Sequence, residues 1–310
     1  MVVHNTGAGI RNVVVTPYSL PEWATIGLSE RFDIHQFEPG CAVCATARVM
    51  LTSGPQPVQR ELMDQLPALE YICCLGSGYE GVDVAYARSK GIAVSNSAIV
   101  TAEDVADQML ALTLAIYCQV PALDKAVREG RWPKPIRPSL RELKVGIVGL
   151  GAIGLAVARR IAAFGCEIRW NGPRPKDTAH LYCPSLLSLA KWADFLLVTA
   201  RADQSNRHLI DAEVIEALGP NGFVANVSRG TIIDEDALLA ALRSGRLGGA
   251  ALDVFESEPT PASRWEGISN AVLSPHVGGF TSGIRSGINR LVQSNLRAFF
   301  AGSTLTGVVS

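Results

Sequence analysis

The chain predicts an α/β protein with a doubly wound parallel sheet, and three observations carry that prediction. Residues 145–154, VGIVGLGAIG, run from a short apolar strand through glycines at 149, 151 and 154 into the Ala-rich, helix-favouring stretch 152–164. Short apolar runs alternate with helical stretches along the chain, a pitch that requires crossover connections and hence parallel strands. The 310 residues exceed one ordinary compact core and suit two α/β domains.

Taken in order, 13–15, 34–37, 49–51 and 69–75 read as strands, with a helix over 58–66 closed by Pro67. A glycine-rich loop follows, GSGYEGVD at 76–83, then a helix over 84–90, Gly91 and a strand over 92–94. Small residues and free N–H groups at a strand's carboxyl end can hold a carboxylate, or simply make a tight turn. The segment 101–118, TAEDVADQMLALTLAIYC, opens with a threonine cap and acids in its first turn, and is expected to be a long, largely buried helix. Pro121 bends or stops it, and 131–138, with three prolines, reads as a surface connection.

The strand 145–148 then leads into the glycine turn, where the first glycine permits the bend, the second lets backbone approach a diphosphate and the third lets helix pack on strand. The helix N-terminus offers N–H groups and partial positive charge to that diphosphate. Further strands fall at 167–170, 194–198, 223–227, 249–252 and 271–273, with helices at 211–218 and 234–244 among them. Six strands with intervening helices match a doubly wound nucleotide domain over 98–280. A last helix, 283–300, is expected to return to the first domain, which then comprises 1–97 plus 281–310.

With 28 basic against 29 acidic residues and no basic block, nucleic acid and anionic membrane are poor partners. Residues 1–20 lack the basic start and apolar core of a signal peptide, and the longest apolar run, 109–118, is too short to span a bilayer, so a cytoplasmic protein is expected. Seven scattered cysteines include the CxxC of Cys41 and Cys44 without a second pair at metal spacing; free thiols with no role, and no metal site, are expected.

In open α/β sheets ligands sit beyond the carboxyl ends of the strands. The fourth strand of the second domain is followed by Ser228-Arg229-Gly230, the fifth by Asp253 and then Glu256-Ser257-Glu258-Pro259, the sixth by Pro275-His276. His4, His35, His180 and His208 are weaker candidates, lying near the terminus, in a strand pattern or in polar connections. A guanidinium is a planar fork for a carboxylate or a polarised carbonyl, a histidine passes a hydroxyl proton near neutral pH, and a carboxylate beside it fixes the ring. Hydride transfer between a carbinol and a nicotinamide needs that set. A surface arginine, a capping glutamate and a core histidine are blander accounts of each residue alone, not of three together on one edge.

The glycine motif, NVSRG at 226–230, AALDVFESEP at 250–259 and SPH at 274–276 closely resemble the D-2-hydroxyacid dehydrogenases. The loop LGSGYEGVD and the helix start TAEDVAD match too, so the resemblance runs from about Val49 to His276. It implies a Rossmann-type cofactor domain inserted into a smaller flavodoxin-like substrate domain. By position it implies that Arg229 binds the 2-oxo acid and polarises its keto group, His276 is the proton donor and acceptor, and Glu258, which directly precedes the proline as Glu256 does not, is its carboxylate partner. Gly149, Gly151, Ala152, Ile153, Gly154 and Thr101 fall to the cofactor, Asp253 to its carboxamide, and the backbone of Leu75, Gly76, Ser77 and Gly78 to the substrate carboxylate. Formate dehydrogenases share the fold but carry glutamine where Glu258 stands, which argues against that branch.

The acid that meets a ribose 2′-hydroxyl in NAD enzymes should stand at Gly172, where there is none, and Pro173-Arg174-Pro175-Lys176 follows. A vacant acidic position beside two cations suits a 2′-phosphate, so NADP(H) is expected over NAD(H), with Arg174 as anchor; a merely solvated basic loop is the alternative. The resemblance points to a homodimeric reductase of glyoxylate and hydroxypyruvate. Hydroxyphenylpyruvate is the alternative within the class, and a cofactor-sensing, corepressor-like binding protein the alternative outside it.

Overall fold

The computed structural model describes residues 12–309. His4 lies outside them. The chain divides into two compact units, one reaching Thr101 and resuming at Ser282, the other Ala102–Thr281.

The first unit holds five parallel strands, β1 (Asn12–Thr16), β2 (Phe32–Gln36), β3 (Val49–Thr52), β4 (Tyr71–Cys74) and β5 (Ala93–Ser95), in the order β2-β1-β3-β4-β5. That is the flavodoxin order. Its connections carry α1 (Glu22–Thr25), α2 (Arg60–Asp64) and α3 (Val84–Ser89). α3 is capped by the Asp83 carboxylate, which accepts from the N–H of Tyr86 at 2.9 Å. β3 and β4 are buried on both faces, so they read as unbroken apolar runs rather than alternating ones. Ile284, Ile288, Val292 and Leu296 of the final helix join Val14, Val49, Leu51 and Tyr71 in one cluster of this unit, as the returning helix requires.

The long apolar helix α4 spans Ala98–Tyr117, and Thr101 does not cap it. The helix starts three residues earlier, where Asn96 Oδ1 accepts from the Ala98 N–H at 3.2 Å, and the Thr101 hydroxyl donates to the Ala98 carbonyl instead. After a break at Gln119, α5 (Val120–Arg128) continues at 55° to α4, with Pro121 in its first turn where a missing N–H costs nothing. No single helix among the described residues is long and apolar enough to cross a membrane. The connection 131–138 is exposed throughout.

The second unit's sheet comprises β6 (Lys144–Val148), β7 (Glu167–Asn171), β8 (Leu181–Tyr182), β9 (Phe195–Val198), β10 (Phe223–Asn226), β11 (Gly249–Leu252) and β12 (Ala271–Leu273). All are parallel, in the order β12-β11-β10-β9-β6-β7-β8, and α6 (Ala152–Ala162), α7 (Leu186–Trp192), α8 (Ala212–Leu218) and α9 (Glu235–Ser244) lie between them in the chain. The last helix, α10, is Ser282–Phe300. Seven strands replace the six expected. The addition, β8, is two residues long, too short for a periodic signal, and it is strand three of the doubly wound order. α7 was likewise unmarked in the sequence; the Ser185 hydroxyl caps it. The order reverses between β6 and β9, which is where such sheets open a crevice.

Candidate active site

The glycine turn sits at that reversal. Gly149 has φ +94°, and a Cβ there would lie 2.4 Å from Ala200 Cα, on the segment leaving β9. A Cβ on Gly154 would meet the Gly149 carbonyl oxygen at 2.2 Å, whereas one on Gly151 would meet nothing. The first and third glycines are therefore demanded by packing, and the second leaves the approach to the helix open. α6 starts at Ala152 with no side chain capping it, so the N–H groups of Ala152 and Ile153 are available to a diphosphate. This cradle fits a dinucleotide.

At the position expected to meet the ribose, Gly172 receives the Tyr182 hydroxyl on its carbonyl at 2.9 Å, and a Cβ there would press on the Trp170 ring at 3.1 Å. Lys176 Nζ donates to the Leu150 carbonyl at 2.6 Å, which ties the 172–176 loop to the glycine turn. Arg174 on that loop is exposed and makes no hydrogen bond or ion pair among the described residues.

The three strands β10, β11 and β12 are neighbours, and their ends deliver Arg229, Glu258 and His276 to one edge. Arg229 is set by Asn226, which is fully buried: its Oδ1 accepts from the Ser228 N–H and hydroxyl, both at 2.9 Å, and its Nδ2 donates to the Arg229 carbonyl at 2.9 Å. Gly230 lets this turn lie directly on the next one, because a Cβ there would come within 1.9 Å of the Phe255 carbonyl carbon. Glu258 Oε1 accepts from the Phe255 N–H at 3.0 Å, and its Oε2 stands 2.7 Å from His276 Nδ1. The peptide bond from Glu258 to Pro259 is cis. With Nδ1 engaged, His276 Nε2 has no partner among the described residues, and the side chain is 41% exposed.

His276 has φ +54°, a conformation costing a non-glycine residue about 1–3 kcal/mol. Asp253 offsets it. This carboxylate is 1% exposed and accepts from the Val277 N–H at 3.0 Å, the Gly278 N–H at 2.8 Å and the Ser274 hydroxyl at 2.5 Å, so it grips the chain on both sides of the histidine. Each bond to a charged acceptor contributes about 1.5–3 kcal/mol, and three outweigh the strain. Gln108 of α4 completes the group, donating to Ser274 Oγ at 3.0 Å and lying 3.5 Å from Asp253 Oδ1. Asp253, expected to face the carboxamide, holds the histidine turn in this structure. Sequence carried no signal for Gln108, which stands 166 residues from its serine.

His208, a weaker candidate, bonds through Nε2 to Glu256 Oε1, with its Nδ1 3.9 Å from Asp234. Arg207 adds a contact to Glu256 at 3.2 Å, and the Glu256 N–H donates to the buried Glu235 at 3.0 Å.

In the first unit, the Leu75 N–H is already given to Thr52 O at 2.8 Å and cannot bind a carboxylate. The N–H groups of Gly76, Ser77 and Gly78 have no partner among the described residues. Asn96 Nδ2 holds the loop by its Ser77 carbonyl at 2.8 Å. Thr101 is buried at 5% exposure with its hydroxyl on Ala98.

Residues 110–278 match the family described as D-isomer specific 2-hydroxyacid dehydrogenase, NAD binding domain, a span that contains Arg229, Glu258 and His276. The chain is 37% identical over 270 residues to a glyoxylate/hydroxypyruvate reductase of Arabidopsis thaliana, covering 86% of this chain and 84% of that one. It is 41% identical over 262 residues to hydroxyphenylpyruvate reductase of Plectranthus scutellarioides, covering 83% and 84%. Among solved structures it is similar to the NADPH-dependent glyoxylate/hydroxypyruvate reductase of Sinorhizobium meliloti in complex with NADP and malonate, with TM-score 0.87, 34% identity and 97% of each chain covered.

Proposed function

The chain belongs to the D-2-hydroxyacid dehydrogenases, NAD(P)-dependent oxidoreductases, and from that premise we propose that it reduces glyoxylate and hydroxypyruvate to the hydroxy acid, the (R) form where the carbon is chiral, with NADPH as donor. The observation that carries the reading is the His276–Glu258 pair at 2.7 Å on the edge that Arg229 shares.

The Arg229 guanidinium takes the 2-oxo acid and draws electron density toward the keto oxygen. The nicotinamide, when bound, supplies the hydride. His276 gives its Nε2 proton to the oxygen as negative charge develops there, while Glu258, tied at its other oxygen by the Phe255 N–H, keeps the ring turned and balances its charge. In the opposite direction Nε2 accepts the hydroxyl proton. The N–H groups of Gly76, Ser77 and Gly78 are assigned to the substrate carboxylate, supported by their lack of other partners among the described residues.

The preference for NADP(H) is supported by the missing acid at Gly172 and by Arg174, which has no partner among the described residues and stands on a loop that Lys176 ties to the glycine turn. A homodimer is proposed through α5 and the 131–138 segment, supported by Val120, Val127, Trp132 and Ile136, which are 53%, 50%, 74% and 100% exposed. A reducing, cytoplasmic compartment is supported by seven cysteines that are all thiols.

The test is a panel of 2-oxo acids with NADPH and NADH side by side. Turnover of glyoxylate and hydroxypyruvate with a higher kcat/KM for NADPH is expected. Negligible turnover of both acids overturns the substrate reading, hydroxyphenylpyruvate as best substrate replaces it, and a preference for NADH overturns the cofactor reading.

A further inference from the structure

The CxxC at Cys41 and Cys44 lies outside everything the reductase chemistry uses. It occupies the connection from β2 to β3, where the Ala45 N–H donates to the Cys41 carbonyl at 3.2 Å and closes one helical turn. Residues three apart on such a turn share a face, with Cβ atoms about 5–6 Å apart. A disulfide takes Cβ separations of about 3.5–4.5 Å, so the two side chains must close by about 1–2 Å, within reach of a single short turn. The Cys44 N–H already points at Cys41 Sγ, at 3.2 Å. The two thiols differ in access. Cys41 is half-buried between exposed neighbours, whereas Cys44 is 1% exposed, packed with Val15, Met50 and Val58, its Sγ 3.7 Å from the Gln36 carbonyl.

The other cysteines offer no such pair. Cys73 and Cys74 are adjacent on β4 and point to opposite faces of the sheet. Cys166 and Cys183 bond to the carbonyls of Leu140 and Ser185. No group of three or more metal-ligating side chains occurs among the described residues.

We propose that Cys41 and Cys44 are a reversible dithiol/disulfide site in which Cys41 attacks and Cys44 resolves, oxidised by a low-molecular-weight disulfide. The Cys41 thiolate attacks one sulfur of the oxidant, forming a mixed disulfide and releasing the first thiolate. Cys44 then displaces the second thiol from Cys41 Sγ and closes the internal bond, its proton passing to the leaving sulfur. The two protein thiols lose two electrons and two protons, and the oxidant becomes two thiols. Electrostatics favours that division of labour. Hydrogen bonds from the Cys44 side chain and N–H lower the Cys41 thiol below its usual value, against the opposing effects of its own partial burial and of the Glu38 charge, while burial raises Cys44.

The test equilibrates the folded wild-type protein with glutathione disulfide, blocks remaining thiols by alkylation and maps the peptides by mass spectrometry. The expected product is a peptide containing 41–44 that has lost two hydrogens, resists alkylation and regains it after reduction. Cys73 and Cys74 should stay unmodified, which reports that the protein remained folded. Before oxidation, Cys41 should alkylate about tenfold or more faster than Cys44. Cys44→Ala should hold the glutathione adduct on Cys41, and Cys41→Ala should form neither product. A stable glutathione adduct on the wild-type protein, or both thiols still open to alkylation after equilibration, overturns the proposal.

Discussion

Two histidines, His276 and His208, meet two glutamates that stand two residues apart, Glu258 and Glu256, and both take left-handed backbone, with φ +54° and +53°. Only one pair is free to move a proton. His276 engages its carboxylate through Nδ1 and leaves Nε2 open, while the surrounding strain is carried by the buried Asp253. His208 has a carboxylate facing each nitrogen, Glu256 and, more distantly, Asp234, and shares Glu256 with Arg207. A histidine beside a carboxylate is thus insufficient as a mark of catalysis. What separates the pairs is whether the second ring nitrogen remains available.

The sharpest way to break the comparison is to remove each ring. His276→Ala should lower kcat by about 10²–10⁴-fold in a protein that stays folded, since general acid–base catalysis contributes that much. Steady-state reduction rates and a thermal melt check it; a residual kcat within tenfold of wild type would place the proton elsewhere. Glu258→Gln keeps shape but removes the carboxylate charge that faces His276 Nδ1. A hydrogen bond to a charged group contributes about 1.5–3 kcal/mol, which corresponds to about a 10- to 100-fold loss in kcat with little change in KM.

Asp253→Asn tests whether the clamp distinguishes the two turns. Its oxygens accept from three donors, so an amide leaves one buried group mispaired and should lower stability by about 1–3 kcal/mol, read by denaturant unfolding, with a parallel drop in kcat. Loss of stability with full activity would show that the clamp does not govern His276. The smallest effect is expected from His208→Gln. Its pair is a third exposed and contributes less than about 1 kcal/mol, and kcat/KM should stay within about twofold. A loss comparable to that of His276→Ala would erase the distinction between the pairs.

Much of the fold was legible because its signals are short-ranged. The glycine turn, the Asp caps of α8 and α9 and the apolar runs of β3, β4 and β9 each state their conformation within a few residues. The unread elements carry no such local mark. β8 has two residues, α7 follows a loop of mixed polarity, and α4 starts at Ala98, where Asn96 accepts from the N–H, whereas the sequence marks Thr101 because Glu103 and Asp104 follow it at once.

For the site, the sequence by itself determined which chemistry is present and on which edge: Arg229, Glu258 and His276 each follow a strand, and parallel strands deliver their carboxyl ends to one side. The resemblance also paired Glu258 with His276, but only the tertiary structure decided the other contacts. The pairing of Glu256 with His208, the grip of Asp253 on the His276 turn, and the reach of Gln108 across 166 residues depend on backbone directions beyond the strands. Those directions are fixed by close contacts such as Gly230 on Phe255, which belong to packing between distant segments and leave no pattern in the local sequence.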